Sequence, residues 1–370
     1  MRIGINCRSF LRKQYTGIGR YAFNLVQSLG DLDKDDEYFL YAKKGLFDFK
    51  RNLPRFQSKN FHPRIDWLNR GVDKTLRNID IYHSPSPDFL PCDQPKIIVS
   101  VHDLIYKTYP QGHTQQTIDQ TEEHFQEIVK KAAKIICCSE NTRKDLHKYF
   151  SVNEQMTCVI HQGVDKRKFY VISDNESHKA DVVLRKKGIH RPFVLFIGTI
   201  EPRKNLKNLI SAVSILKKKR SFSGQLVIAG MKGWMSEDLS DFIKDENLQD
   251  DICILGYVSD EELRILYNKA DVFAFPSFYE GFGFPILEAF NCGAAVVTSN
   301  TSSCAEVALD AAVQIDPYDP IQISNGIERI LDDVSFREDL KRKALKRADD
   351  FSFEKTAKQT LDIYREVFES

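Results

Sequence analysis

Apolar residues along this chain cluster in short blocks, separated by stretches in which they recur at helical spacing. In the first half the blocks are 2–7 (RIGINC), 37–42 (EYFLYA), 80–83 (DIYH), 96–101 (KIIVSV), 134–138 (KIICC) and 157–160 (TCVI). Such runs predict parallel strands buried on both faces. Between them, Tyr21, Leu25, Val26 and Leu29 predict a helix following Gly19, and another is predicted over about 115–132. The polar stretch 163–180 breaks the alternation and reads as a linker. The pattern then restarts with 193–200, 225–229, 252–256, 272–275, 295–298 and 312–315, and Leu206, Leu209, Ile210, Val213 and Leu216 mark an intervening helix. Two doubly wound parallel sheets follow, in domains 1–168 and 169–350. In the tail 351–370, Phe353, Ala357, Leu361, Tyr364 and Phe368 form one apolar stripe of a helix that Ser352 would cap. No strand follows that helix, so it must pack on something already built.

Composition narrows the function classes. The 370 residues suit two domains, and 42% apolar with 28% charged residues is an ordinary globular mixture. A net charge of +1 excludes a chain built to coat nucleic acid, and no nucleic-acid partner is expected. No stretch is apolar for long enough to span a membrane. The start, MRIGINCRSFLRK, lacks an apolar secretory core, and eight cysteines without C-x-x-C spacing suit buried reduced thiols, so a cytoplasmic location is expected. The small net charge conceals a split: residues up to Lys168 carry +7 and the remainder −6. Segment 43–77 alone holds 10 basic and 3 acidic residues, interleaved with Phe47, Phe49, Phe56, Phe61 and Trp67. It reads equally as a solvated basic face over core aromatics or as a patch drawn to anionic membrane.

Four constellations carry candidate chemistry. In P-S-F-Y-E-G-F-G-F-P-I-L-E (276–288) a strand runs into a glycine turn, and Pro285 stands where a helix begins. Amides of Phe282, Gly283 and Phe284 at that helix start would suit a phosphate, with Gly281 and Gly283 allowing close approach. Glu280 and Glu288 would repel a phosphate and so should face sugar or ribose hydroxyls. In G-T-I-E-P-R-K-N (198–205) Arg203 and Lys204 sit where a strand ends, with Asn205 as expected N-cap, and could neutralise a diphosphate. T-G-I-G-R-Y-A (16–22) offers Gly17 and Gly19 in a loop before the first helix. It imitates a dinucleotide fingerprint, but the strand ends too early and no acidic residue closes the second strand. In V-H-D-L (101–104) His102 ends a strand, where it could donate to a substrate hydroxyl or act in acid–base work. Metal signals are poor: Asp31-Leu32-Asp33 reads as part of a solvated loop, and the histidines lack ligand spacing.

These residues together resemble the retaining glycosyltransferases of family four, of the fold called GT-B: two Rossmann-like domains, a cleft between them, and a C-terminal helix crossing back to the first. Glu280 to Glu288 in EGFGFPILE matches the family's Glu-x(7)-Glu signature. Arg203 and Lys204 match its basic pair, Gly17 and Gly19 its glycine loop, and His102 its N-domain histidine. SSCAEV departs from it, with Ala305 where a proline is usual. The resemblance implies that residues 1–168 meet a glycan or lipid-linked acceptor and 169–350 bind a nucleotide-sugar. Arg203 and Lys204 would hold the donor diphosphate; Glu280, Gly281, Phe282 and Gly283 would orient the sugar; Glu288 would hold the ribose. Tyr257 and Val258 would line the base, and His102 would lie near the reacting carbon. Retention, with no metal and no cofactor, is likewise implied by the family. GTIEPRKN is similar to mannosyltransferases of O-antigen and capsule assembly, so GDP-mannose is the expected donor and a UDP-sugar the alternative. A non-catalytic nucleotide-sugar-binding module is the competing class.

Overall fold

The computed structural model describes residues 1–11, 17–45, 53–87, 92, 95–231, 233 and 237–370. Among these, two compact units separate: residues 1–163 with 351–370, and residues 164–350.

The first unit is built on seven parallel strands: β1 (Arg2–Asn6), β2 (Glu37–Lys43), β3 (Phe61–Asp66), β4 (Ile81–Ser84), β5 (Lys96–Val101), β6 (Lys134–Cys137) and β7 (Thr157–Val159). Their order is β3-β2-β1-β4-β5-β6-β7. The second unit has β8 (Phe193–Ile197), β9 (Gln225–Ala229), β10 (Ile252–Gly256), β11 (Val272–Phe275), β12 (Val296–Ser299) and β13 (Val313–Ile315), in the order β10-β9-β8-β11-β12-β13. Both are doubly wound Rossmann-like sheets. Strand order reverses at β1/β4 in one and β8/β11 in the other, and such reversals open a crevice at the carboxyl edge. Phe196, Leu209, Ile228, Ala274, Val297 and Ile327 are fully buried in the second core; Tyr82, Val99, Ile128, Ile135 and Leu146 are in the first.

Strand β3 escapes the apolar pattern because FHPRID is polar and holds a proline. It is an edge strand, where Pro63 removes no ladder bond that the sheet needs. The expected linker is partly helical: Asp174–Lys186 is a helix whose start is fixed by a reciprocal cap between Ser173 and Glu176. The first unit ends at Gly163, five residues before the expected boundary.

The final helix, Phe353–Glu369, belongs to the first unit and packs against the helix Gly17–Leu32. Ser352 caps it, accepting from the Lys355 amide at 3.1 Å. Phe353, Ala357, Leu361 and Tyr364 are buried as expected, but Val367 completes the stripe and Phe368 is exposed.

Other expectations change in detail. Gly17 and Gly19 lie in the first turn of their helix, not in a loop before it. Asp33 is buried, accepting from the Tyr38 hydroxyl at 2.6 Å, while Asp31, Lys34 and Asp35 of the same acidic run are exposed, so the solvated run carries one structural carboxylate. Phe56 and Phe61 join an aromatic cluster with Phe10 and Phe23. Trp67 is 42% exposed, and Lys44 Nζ lies 5.4 Å from its ring centre. Phe47 and Phe49 fall outside the described residues. No disulfide joins any of the eight cysteines, six of which are buried. Among the described residues no helix is long and apolar enough to cross a membrane, and no group of His, Cys, Asp and Glu could hold a metal ion.

Candidate active site

The reversal between β8 and β11 places two loops side by side. After β8 the chain makes a short turn, Pro202–Lys204, and enters the helix Leu206–Lys218. After β11 it passes through 276–283 into the helix Phe284–Asn291. Gly283 occupies the N-cap position with φ of 112°, a conformation that a side chain would strain, and no side chain caps this helix. Pro285 stands in its first turn, where its missing N–H costs nothing.

Glu280 sits between the two cations. Arg203 Nη1 lies 2.9 Å from Glu280 Oε2, and Lys204 Nζ lies 2.6 Å from Oε1. The carboxylate is only 8% exposed. Burial pushes its pKa up, but the charges of Arg203 and Lys204 outweigh that and hold it at about 2. Arg203 also donates to the Tyr279 carbonyl at 2.7 Å and pairs with Glu201. The Glu280 backbone is pinned from the next loop: its amide donates to Ser302 Oγ at 3.1 Å, and Ser303 Oγ donates to its carbonyl at 2.8 Å. Glu288, one turn into the helix, is buried and accepts from the Tyr267 hydroxyl at 3.0 Å.

Asn205 departs from expectation. It adopts a left-handed conformation and does not cap its helix through its side chain. Its Nδ2 donates instead to the Pro276 and Pro317 carbonyls, at 2.9 and 2.6 Å, tying three loops together. Tyr257 and Val258 follow β10, two strands away from β8 along the same carboxyl edge, and Tyr257 is 60% exposed.

Gly17, Gly19 and His102 belong to the first unit. His102 follows β5 at the carboxyl edge, and its ring meets that of Tyr21 edge-on, 4.9 Å between centres. Both ring nitrogens are occupied. Nε2 lies 2.9 Å from the Pro85 carbonyl, and Gln162 Nε2 lies 2.6 Å from Nδ1. Burial holds the imidazole below its ordinary pKa, against smaller upward pulls from Pro85 and Asp103. In this arrangement neither nitrogen is available for the acid–base work expected of the residue.

The second unit therefore brings together Arg203, Lys204, Glu280, Gly281, Phe282, Gly283 and Glu288. Two cations beside an uncapped helix start can bind a diphosphate, and two carboxylates can accept from hydroxyls. Sequence reasoning passed over Glu201, Ser302, Ser303 and Gln162. Only Glu201 carried a signal, its position next to Pro202-Arg203-Lys204; the others act across long sequence separations.

Comparison with known proteins agrees with this geometry. The family described as glycosyl transferases group 1 matches residues 181–347, and that described as glycosyltransferase family 4 matches 15–168. The chain is 30% identical to the O-antigen chain mannosyltransferase B of Escherichia coli, over 95% of this chain and 96% of that one. It is 31% identical to a D-inositol 3-phosphate glycosyltransferase of Paenarthrobacter aurescens, over 66% of this chain and 60% of the relative. The fold is similar to that of sucrose-phosphate synthase from Thermosynechococcus elongatus, with TM-score 0.78 and 19% identity over 100% and 99% of the two chains. It is also similar to Anabaena HepE in complex with UDP and glucose, with TM-score 0.74 and 16% identity over 98% and 99%. Two reversed sheets, the Arg-Lys-Glu cluster at one of them, and a full-length relative all lead to one assignment: the chain belongs to the GT-B glycosyltransferases of family four and resembles the O-antigen mannosyltransferases.

Proposed function

We propose that this glycosyltransferase moves mannose from GDP-mannose onto a glycan or lipid-linked acceptor of surface polysaccharide, with retention and without a metal or cofactor. The observation that carries the reading is Glu280 clasped by Arg203 and Lys204. An entering diphosphate competes for those cations. Arg203 and Lys204 turn to the phosphates, and Glu280 is released to accept from sugar hydroxyls beside Gly281, Phe282 and Gly283. The two cations and the helix start at Gly283 supply the charge stabilisation that a metal would otherwise give. Glu288 takes the ribose hydroxyls, and Tyr257 with Val258 lines the base. The second unit, residues 164–350, forms the donor side; the first, with Gly17 and Gly19 at a helix start and His102 near the reacting carbon, forms the acceptor side.

With both nitrogens of His102 engaged, the leaving diphosphate is the base that takes the acceptor's proton. That suits attack from the face the diphosphate leaves, and so retention. Mannose as the sugar is supported by the relative at 30% identity over nearly the whole chain. Work at the cytoplasmic face of a membrane is part of the proposal: the exposed Trp67 and Leu68 beside Lys44 would meet anionic lipid.

A panel of GDP-, UDP- and ADP-sugars tests the donor. GDP-mannose should give the largest rise in melting temperature and the fastest transfer, since ligands of the native state raise its stability. Faster transfer from a UDP-sugar would overturn the donor; binding without transfer from any donor would leave a non-catalytic module. Sedimentation with anionic but not neutral vesicles, weakened by salt, is the expected lipid result.

A further inference from the structure

Gln162 is the last side chain before the first unit ends, and it is 1% exposed. Its neighbours are pinned by the final helix. The His161 carbonyl accepts from Thr356 Oγ1 at 2.8 Å, and a Cβ on Gly163 would fall 2.2 Å from the Phe353 nitrogen. The segment is thus braced in place, and Gln162 projects its amide to His102, sixty residues away in sequence, at 2.6 Å.

The protons in this pair follow from what each partner can do. The Pro85 carbonyl can only accept, so His102 Nε2 carries a proton. In the neutral ring Nδ1 is then a lone pair, which Gln162 meets with an N–H. The Gln162 Oε1 atom is left buried with no hydrogen-bond partner among the described residues. Turning the amide over would set that oxygen against the Nδ1 lone pair. The other neutral tautomer would set the Nε2 lone pair against the Pro85 carbonyl. The turned amide suits only a doubly protonated ring. One neutral state therefore satisfies His102 on both sides, and the idle oxygen of Gln162 is its consequence.

We propose that Gln162 is a positioning residue of the transfer reaction, holding His102 neutral, with its proton on Nε2, and fixed in orientation. The role in transfer rests on the function proposed above, in which His102 lies near the reacting carbon. An uncharged ring, with both nitrogens engaged, leaves the acceptor's proton to the leaving group.

The test pairs a spectroscopic readout with kinetics. In protein labelled with 15N at histidine, the His102 signals are identified by their loss in His102→Phe. Wild type should show one protonated nitrogen, Nε2, and one bare nitrogen, Nδ1. Gln162→Glu as a carboxylate offers Nδ1 only acceptors, so the proton shared by the pair should reside on the ring and make it doubly protonated at pH 7. Its kcat should fall at least about tenfold with KM for the nucleotide-sugar nearly unchanged, the mark of a misadjusted reacting centre and not of lost binding. Gln162→Leu, nearly isosteric and uncharged, should keep the Nε2 proton and lose less. Melting temperatures of both variants separate this from misfolding. A wild-type ring protonated on Nδ1, a neutral ring in Gln162→Glu, or unchanged kcat with a charged ring would overturn the proposal. If wild type transfers no sugar at all, the function proposed above fails, while the spectra still judge the Gln162–His102 pair.

Discussion

A carboxylate at 8% exposure between two cations is stable only while all three groups keep their charge. Glu280 meets that condition over an unusually wide range, because its folded pKa of about 2 lies below the ordinary value of about 4.5. The sign follows: its contribution is fully present above pH 4.5 and is lost as pH falls toward 2. A pH profile of kcat/KM should therefore show no acid limb from Glu280 between pH 4 and 7. Glu280→Gln should be slower yet titrate with the same shape as wild type over that range; an acid limb that disappears in the variant would refute this. Arg203 joins Glu280, Glu201 and the Tyr279 carbonyl, so Arg203→Ala removes a diphosphate contact and also leaves Glu280 to Lys204 alone. Loss of such a preorganised charge costs about a hundredfold to a thousandfold in turnover, and steady-state rates with GDP-mannose should fall by that order. Turnover near wild type would remove Arg203 from the mechanism.

The elements show how far one residue can control a packing contact. Gly163 approaches the Ser352–Phe353 peptide so closely that an added Cβ would lie 2.2 Å from the Phe353 nitrogen and 2.4 Å from the Ser352 carbonyl carbon. Backbone cannot swing aside as a side-chain tip can, so Gly163→Ala should destabilise the first unit by about 1–3 kcal/mol, read by urea unfolding. Ser352→Ala removes only the cap and should cost about 1 kcal/mol. If the order of the two losses were reversed, the close approach would not be what anchors this helix. Legibility follows the same division between local and distant causes. Strands such as KIIVSV and VFAF announce themselves because burial on both faces demands continuous apolar residues. Strand β3 does not, since an edge strand can carry Pro63 and Arg64. The stripe of the last helix was readable to within one turn, where the burial of Val367 instead of Phe368 depends on what it packs against. In the candidate site, Arg203, Lys204, Glu280 and Glu288 were legible because each stands where a strand gives way to a helix. The cross-links by Asn205, Ser302 and Gln162 were not, because each joins loops from different strands and leaves no local pattern.

At the scale of the molecule, two units with separate cores can respond differently to one condition, and acid is the discriminating one. Within the first unit His83 is fully buried where strand β4, strand β5 and the final helix meet. Its Nδ1 lies 2.6 Å from the Tyr364 hydroxyl and its Nε2 3.0 Å from Ser100 Oγ, which is 3.3 Å from the Tyr21 hydroxyl. None of these partners is an anion. Burial, with the nearby His102 adding to it, lowers the pKa of His83 to about 3, against about 6.5 in an unfolded chain. The folded state must keep the ring neutral while the unfolded state binds a proton. The contribution of His83 is therefore complete above pH 6.5 and drains away as pH falls from 6.5 toward 3. By pH 5 the loss is on the order of 2 kcal/mol. The N-terminal half, already at +7 within a total of +1, also gains positive charge as acid is added. In the second unit Glu280 protonates only near pH 2, so its cluster is untouched between pH 7 and 5. Acidification over that interval should lower protection from amide hydrogen exchange across β4, β5 and the final helix before it does so across β8 and β11. His83→Gln should start less stable at pH 7 but lose less on going to pH 5. Parallel loss in both units, or an undiminished pH slope in the variant, would show that His83 is not the residue through which the first unit senses acid.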